Sequence, residues 1–333
     1  MSLKRLIFGG VVAMVFVAVA ANPVVTDVVA KQRYPWNGLV DITCNVSGID
    51  GTDEWKFAVE AVVPTSGDAR KVSQFWVVKN GVNSTDRKVQ ANGTYMLLWD
   101  AQAELGPVIY SNMVMRVNVV ELHGRVQLWE GGPYWADTNI GAENPEDYGY
   151  YFWWGDTVGY KREGDAWVAT DGSSSNFQFY NDPISQQTYN KSISTLQSEG
   201  WIVSQDGTYV LAPEHDAAQV QWGGGWRMPT GAEFSALISN CTTTWTTQNG
   251  VYGRLVTGKG AYADRSIFLP AAGFGHQSCL FNPCSSCSYW SSTPDSGNSA
   301  EAWGLCFDSS KFGRLDASRV FGLSVRPVRG FAE

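Results

Sequence analysis

Apolar and polar positions alternate with period two through the first third of the chain. Trp55, Phe57, Val59 and Ala61 stand against Lys56, Ala58 and Glu60, the pattern of a strand with one face buried. The same reading covers Val40 to Val46, Gln74 to Val78, Thr94 to Asp100 and Met113 to Val119. Turn residues separate these runs at Ser47-Gly48-Ile49-Asp50-Gly51, Lys79-Asn80-Gly81 and Ala91-Asn92-Gly93, where Asn, Asp and Gly favour tight reversals. No helical period of useful length intervenes. Residues 22–120 are therefore expected to form an all-β, immunoglobulin-like sandwich of about six or seven short strands. Cys44 falls inside one of these strands, alone in its half of the chain, and reads as a small buried apolar residue.

The alternation ends between Glu121 and Arg125, where a domain boundary is expected. Beyond it Leu128-Trp129-Glu130-Gly131-Gly132-Pro133-Tyr134-Trp135 and Tyr150-Tyr151-Phe152-Trp153-Trp154 mix large rings with glycine turns, as in long loops that carry their own packed side chains. Two helices are predicted. One opens at Asp182-Pro183, carries Ile184, Tyr189, Ile193 and Leu196, and ends at Gly200. The other starts at the capping box Thr230-Gly231-Ala232-Glu233 and buries Phe234, Leu237 and Ile238. Ile267-Phe268-Leu269, Trp303-Gly304-Leu305-Cys306-Phe307 and Gly322-Leu323-Ser324-Val325-Arg326 read as short strands. The second part is thus expected to be α+β with long loops.

Composition changes this picture in three ways. Lys4 and Arg5 precede the apolar run Leu6 to Ala20 and the small-residue pattern Ala18-Val19-Ala20, so residues 1–21 are read as a cleaved secretory signal peptide and the protein as secreted or held at the cell surface. No later stretch has the length to span a bilayer. A net charge of −8 with 17% charged residues lacks the basic footprint of nucleic-acid or anionic-membrane binding. Fifteen tryptophans serve either to fill the core of a loop-rich fold or to stack on sugars.

A set of spaced motifs in the second part carries a family likeness. In order they are Leu128-Trp129, Trp135-Ala136 and Asn139-Ile140-Gly141-Ala142; Pro145-Glu146-Asp147-Tyr148-Gly149, Tyr151-Phe152 and Trp154-Gly155-Asp156-Thr157; and Leu211-Ala212-Pro213-Glu214-His215-Asp216-Ala217-Ala218. Trp222-Gly223-Gly224-Gly225-Trp226-Arg227-Met228-Pro229-Thr230, Phe268-Leu269-Pro270-Ala271-Ala272-Gly273, Tyr289-Trp290-Ser291-Ser292-Thr293 and Ser324-Val325-Arg326-Pro327-Val328 complete it. Residues 124–330 resemble the Fibrobacter succinogenes major paralogous domain family. The resemblance implies a C-type-lectin-like fold and a bacterial, surface-associated setting, and supplies no activity.

Candidate chemistry is sparse. Glu214 and Asp216, with Asp206-Gly207 upstream, offer oxygens for Ca²⁺; the structural alternative is that Asp216 caps a helix. The calcium-lectin sugar motifs are absent, Thr293-Pro294-Asp295 being the nearest text. Glycan stacking is therefore assigned to Trp290, Trp153 or Tyr289, with Asp295 and Arg314 assisting. Cys279, Cys284 and Cys287 are expected to form a disulfide within their loop rather than a zinc site, and Cys241 with Cys306 is a further candidate pair. A Ser-His-Asp elbow is missing. The leading expectation is a binding or adhesion protein for a glycan or protein ligand. The alternatives are a copper- or metal-dependent oxidoreductase, related in fold to the formylglycine-generating enzymes and using Cys287 and Cys306, and a structural envelope component.

Overall fold

A computed structural model describes residues 23–33, 37–49, 54–62, 69–106, 114–223 and 225–330. The signal-peptide reading of residues 1–21 lies outside them. The chain divides into two compact units between Leu122 and His123, inside the stretch where period-two alternation ends. Strand dominates both units, with few helices.

In the first unit one antiparallel sheet runs in the order Val24–Gln32, Leu39–Ser47, Gly93–Asp100, Phe75–Lys79, Val82–Ser84. A second is built on Trp55–Val62, which pairs with Ala69–Lys71, Lys88–Val89 and Val114–Glu121. Alternate residues of both sheets meet in one core: Ile42, Cys44 and Val46 from the first, and Trp55, Phe57, Val59 and Ala61 from the second. Cys44 is fully packed there, and burial pushes its thiol up to about 11. The one helix described in this unit, Ala101–Leu105, is capped by Asp100. At five residues it is too short to show a period in the sequence.

The second unit pairs its beginning with its end. Arg125–Gln127, Tyr134–Ala136, Val328–Arg329 and Trp226–Arg227 form one antiparallel sheet in that order. Two three-stranded sheets follow: Thr242–Gln248, Val251–Thr257 and Ser266–Pro270; then Ser286–Pro294, Glu301–Asp308 and Phe312–Ser318. The helix Gly231–Asn240 has the complete capping box of Thr230 and Glu233, and Arg227 reaches back to form a bidentate ion pair with Glu233.

Two sequence expectations need correction. The helix expected from Asp182 to Gly200 is confined to Ile193–Ser198, capped by Ser192. Ahead of it Ser185, Gln186 and Gln187 make only turns that reach back three residues. The buried side chains there are polar, Ser185 and Thr188, while Ile184 is exposed, and Asn190 takes a positive φ of 57°. No apolar face exists for a helix to bury. Likewise Gly322 to Arg326 makes isolated bridges to Phe152, Gly275 and Tyr289, and the regular ladder begins later, at Val328.

Candidate functional site

Trp290 is fully buried, and its indole Nε1 donates to Phe152 O at 2.7 Å. Trp153 and Tyr289 are buried as well, the Tyr289 ring lying against Phe307. None of these rings has a face open to a sugar, which corrects the stacking assignment: large rings bury the most apolar area and went to the core. Asp295 folds back to accept from Gly297 N at 2.7 Å. Arg314 pairs with Asp316 at 2.7 Å and lies 3.3 Å over the Trp303 ring. These residues are not brought together around a cleft.

Asp216 is equally committed. Its Oδ1 accepts from Ala218 N at 2.9 Å and Gln219 N at 3.1 Å, and both oxygens accept from Met228 N. The carboxylate caps Ala217–Trp222 and ties it to the strand leading into the next helix, so its contacts are with backbone donors in a buried position rather than with an open cation site. Glu214 is exposed on a single turn of 3₁₀ helix, Pro213–His215. His215 stacks on Trp201 at 4.0 Å, and burial lowers its pKa. The Ca²⁺ site expected at Glu214 and Asp216 is therefore not formed. Among the described residues no group of three or more His, Cys, Asp or Glu side chains could hold a metal ion.

All six cysteines are free thiols, which corrects the disulfide expectations. Cys279 and Cys284 are exposed, whereas Cys287 sits in the core with Leu305 and Phe307. Cys287 is in register with Phe307, and Ser288 with Cys306. Strand alternation therefore directs Cys287 and Cys306 to opposite faces of their sheet. They cannot share a copper ion. Cys241 packs in the same core as Cys287, so Cys306 points away from it too.

What the fold does assemble at the surface is a set of smaller rings around His276. The hairpin Phe274–His276 and Cys279–Phe281 pairs Phe274 with Phe281 and His276 with Cys279. His276 lies 5.1 Å from the Phe321 ring, 5.4 Å from Tyr180 and 5.9 Å from Phe281. Phe274 joins at 5.5 Å from Phe281 and 5.7 Å from Phe321, and Tyr189 at 6.4 Å from Tyr180. Phe281 is 41% and Tyr180 40% exposed, far more than any ring of the core. Tyr180 also holds a positive φ of 76°, a costly backbone for a bulky residue, and its carbonyl is fixed by the Gln186 amide.

Charge at this patch comes from its flanks, where the Arg162 guanidinium donates to Ser278 O and Asp182 follows Tyr180 by two residues. Residues 274–282 contain no acidic or basic side chain apart from the imidazole. Beside Tyr180 the Asn181 amide donates to Gln178 Oε1 and the Gln186 amide to Tyr180 O, and the nearby Asp182 accepts from Ile184 N at 2.9 Å. Sequence reasoning missed the patch because its members come from separate stretches of chain. Two signals point to it in retrospect: uncharged polar text around Phe281, and the absence of tryptophan there. No described helix is long and apolar enough to cross a membrane. No protein-family model, no curated protein and no solved structure matches the chain.

Proposed function

We propose that the protein is an exported binding protein whose C-terminal unit, a C-type-lectin-like scaffold, takes a neutral glycan on the ring patch centred on His276. The carrying observation is a cluster of partly exposed rings, Phe281 and Tyr180 foremost, around a hairpin with no formal charge of its own. Rings offer flat apolar faces to the C–H side of a pyranose, and amides donate to and accept from its hydroxyls. The formal charges beside the patch, Arg162 and Asp182, are one of each sign, so no net local charge favours a charged ligand, and the chain as a whole is acidic. The ordered motifs of residues 124–330 support the lectin-like scaffold. Counting all strands of five or more residues in the N-terminal unit in chain order, the first sheet runs first-second-fifth-fourth, which supports an immunoglobulin-like spacer preceding it in sequence.

Affinity electrophoresis of the whole mature protein in gels containing galactomannan, arabinoxylan, hydroxyethylcellulose or hyaluronan tests this reading. Retardation by a neutral polymer, reduced about tenfold in affinity by Phe281→Ala with Tyr180→Ala, is expected from the loss of two stacking contacts. Migration unaffected by every neutral polymer, or retarded by hyaluronan alone, overturns it.

A further inference from the structure

The hairpin Thr242–Gln248 and Val251–Thr257 carries a second pair of rings. Trp245 and Tyr252 have centroids 5.9 Å apart and planes within 14° of parallel. Tyr252 is 47% exposed and Trp245 half-buried beside it. Thr247 is in register with Tyr252, Trp245 with Arg254 and Thr243 with Val256, so these six share one face. Its Arg254 and Val256 end is buried, with Arg254 5.9 Å from the Trp245 ring and Trp245 against the core, and its Tyr252 end is exposed.

Thr242–Gln248 lies at the edge of its three-stranded sheet. Natural edges of this kind are usually guarded by charge, yet residues 242–252 contain none. The one cation of the hairpin, Arg254, is buried and spent on Asp308 O at 3.1 and 2.8 Å and on Lys311 O at 3.2 Å. Threonine hydroxyls and the exposed Tyr252 ring are what its open end presents, with the Glu146 carboxylate at the tip.

The hairpin is also held in place. At its tip Gln248 Nε2 donates to Glu146 Oε2 at 3.0 Å, and Asn249 donates to the other carboxylate oxygen. Pre-ordering of this kind lowers the entropic cost of binding. Its backbone leads directly to the His276 patch: Ala271 N donates to Tyr252 O and Cys284 N to Ala271 O, both at 2.8 Å. Two strand spacings, about 10 Å, thus separate Tyr252 from Cys284, which follows Phe281 by one turn.

We infer that the Trp245–Tyr252 hairpin is a second subsite for a neutral polysaccharide, so that the ligand is an extended chain contacting both ring surfaces rather than a single terminal sugar. This inference rests on the reading of the His276 patch as a glycan site. Two linked subsites gain affinity by effective concentration, without any new contact at either.

The test compares whole mature protein, Trp245→Ala with Tyr252→Ala, and Phe281→Ala with Tyr180→Ala. The probes are a neutral polysaccharide that retards the wild type and a disaccharide cut from it, with affinities from electrophoresis and calorimetry. The hairpin variant is expected to bind the disaccharide as wild type does and to lose about tenfold or more toward the polymer. The patch variant is expected to lose both. Trp245→Phe with Tyr252→Phe, which keeps the rings, should restore polymer binding and report any folding defect of the alanine pair. Polymer affinity unchanged in the alanine hairpin variant overturns the second subsite while leaving the His276 reading intact. Polymer binding abolished in the hairpin variant but retained in the patch variant overturns the His276 reading instead. A hairpin variant that changes only from dimer to monomer in light scattering assigns the edge to a second copy and overturns the inference. A wild type that binds neither probe overturns both.

Discussion

Arg326 donates through Nε to Asn139 Oδ1 at 2.8 Å, and both side chains are completely buried. The remaining guanidinium nitrogens donate to Ala136 O at 3.1 Å and Phe268 O at 2.9 Å, and Asn139 Nδ2 donates to Tyr148 O at 3.0 Å. One cation without a carboxylate partner thus joins three stretches that are distant in sequence: residues 136–148, Phe268 and its own. Arg326→Ala leaves these acceptors dry and unpaired, and should cost about 3–5 kcal/mol in urea unfolding of the second unit. Arg326→Lys, lacking the planar fork, should recover only part of it.

Asp216 and Met228 form a similar tie, from carboxylate to backbone N–H. Asp216→Ala removes an N-cap and strands a buried donor, together about 2–4 kcal/mol. Saturating Ca²⁺ or a chelator should leave the melting temperature unmoved in both wild type and variant. A Ca²⁺-dependent rise in wild type alone would show that the carboxylate is a ligand after all.

These ties explain how much was legible in the sequence. Thr230 with Glu233 and the alternation around Trp55 are local patterns, set by backbone hydrogen bonding and by one buried face, and they appear where expected. The spaced motifs are mostly a polar skeleton: Asn139, Asp216, Arg227 and Arg326 serve the fold. Ranking candidate ligand contacts by tryptophan pointed inward, because the largest rings gain most from burial. The His276 patch combines Tyr180, the hairpin at 274–281 and Phe321, and only the topology brings these together.

Two buried carboxyls set a pH dependence. Burial holds Asp156 up at about 7 against backbone N–H groups of Val158 and Gly159, and also raises Asp216. A carboxyl whose native pKa exceeds its unfolded value adds stability that is complete below the unfolded pKa, about 4, and is lost as pH rises through the native one. For Asp156 the loss should run from about pH 4 to pH 7 and level off above. Urea midpoints of wild type and Asp156→Asn across this range measure it: the variant's midpoint should vary less with pH over that interval.

The thiols give a direct reading of the cysteine environments. Burial pushes Cys241 to about 11 and Cys287 to about 12, and the thiolate is the reactive form. Native protein treated with a disulfide reagent at neutral pH should react first at the exposed Cys279 and Cys284. Cys44, Cys241 and Cys287 should wait for denaturant. Denatured without reductant, the whole chain should take up six alkyl groups by mass, matching its six free thiols; four would signal a disulfide.

Trp290 and Phe281 separate the core from the site within one unit. Trp290 fills a closed cavity and donates to Phe152 O, so Trp290→Ala should cost about 3–5 kcal/mol in unfolding experiments and weaken every ligand equally through loss of folded protein. Phe281 stands on a hairpin with its ring 5.5 Å from Phe274 and 5.9 Å from His276, and is 41% exposed. Phe281→Ala should cost about 1 kcal/mol of stability and act selectively, lowering polysaccharide affinity while the melting temperature stays near that of wild type. If Phe281→Ala destabilises as Trp290→Ala does, the ring belongs to the core and the patch is packing. A stable Phe281→Ala that binds every neutral polymer as wild type does removes Phe281 from the ligand contacts, because a stacking ring cannot be deleted without loss of the free energy it contributes.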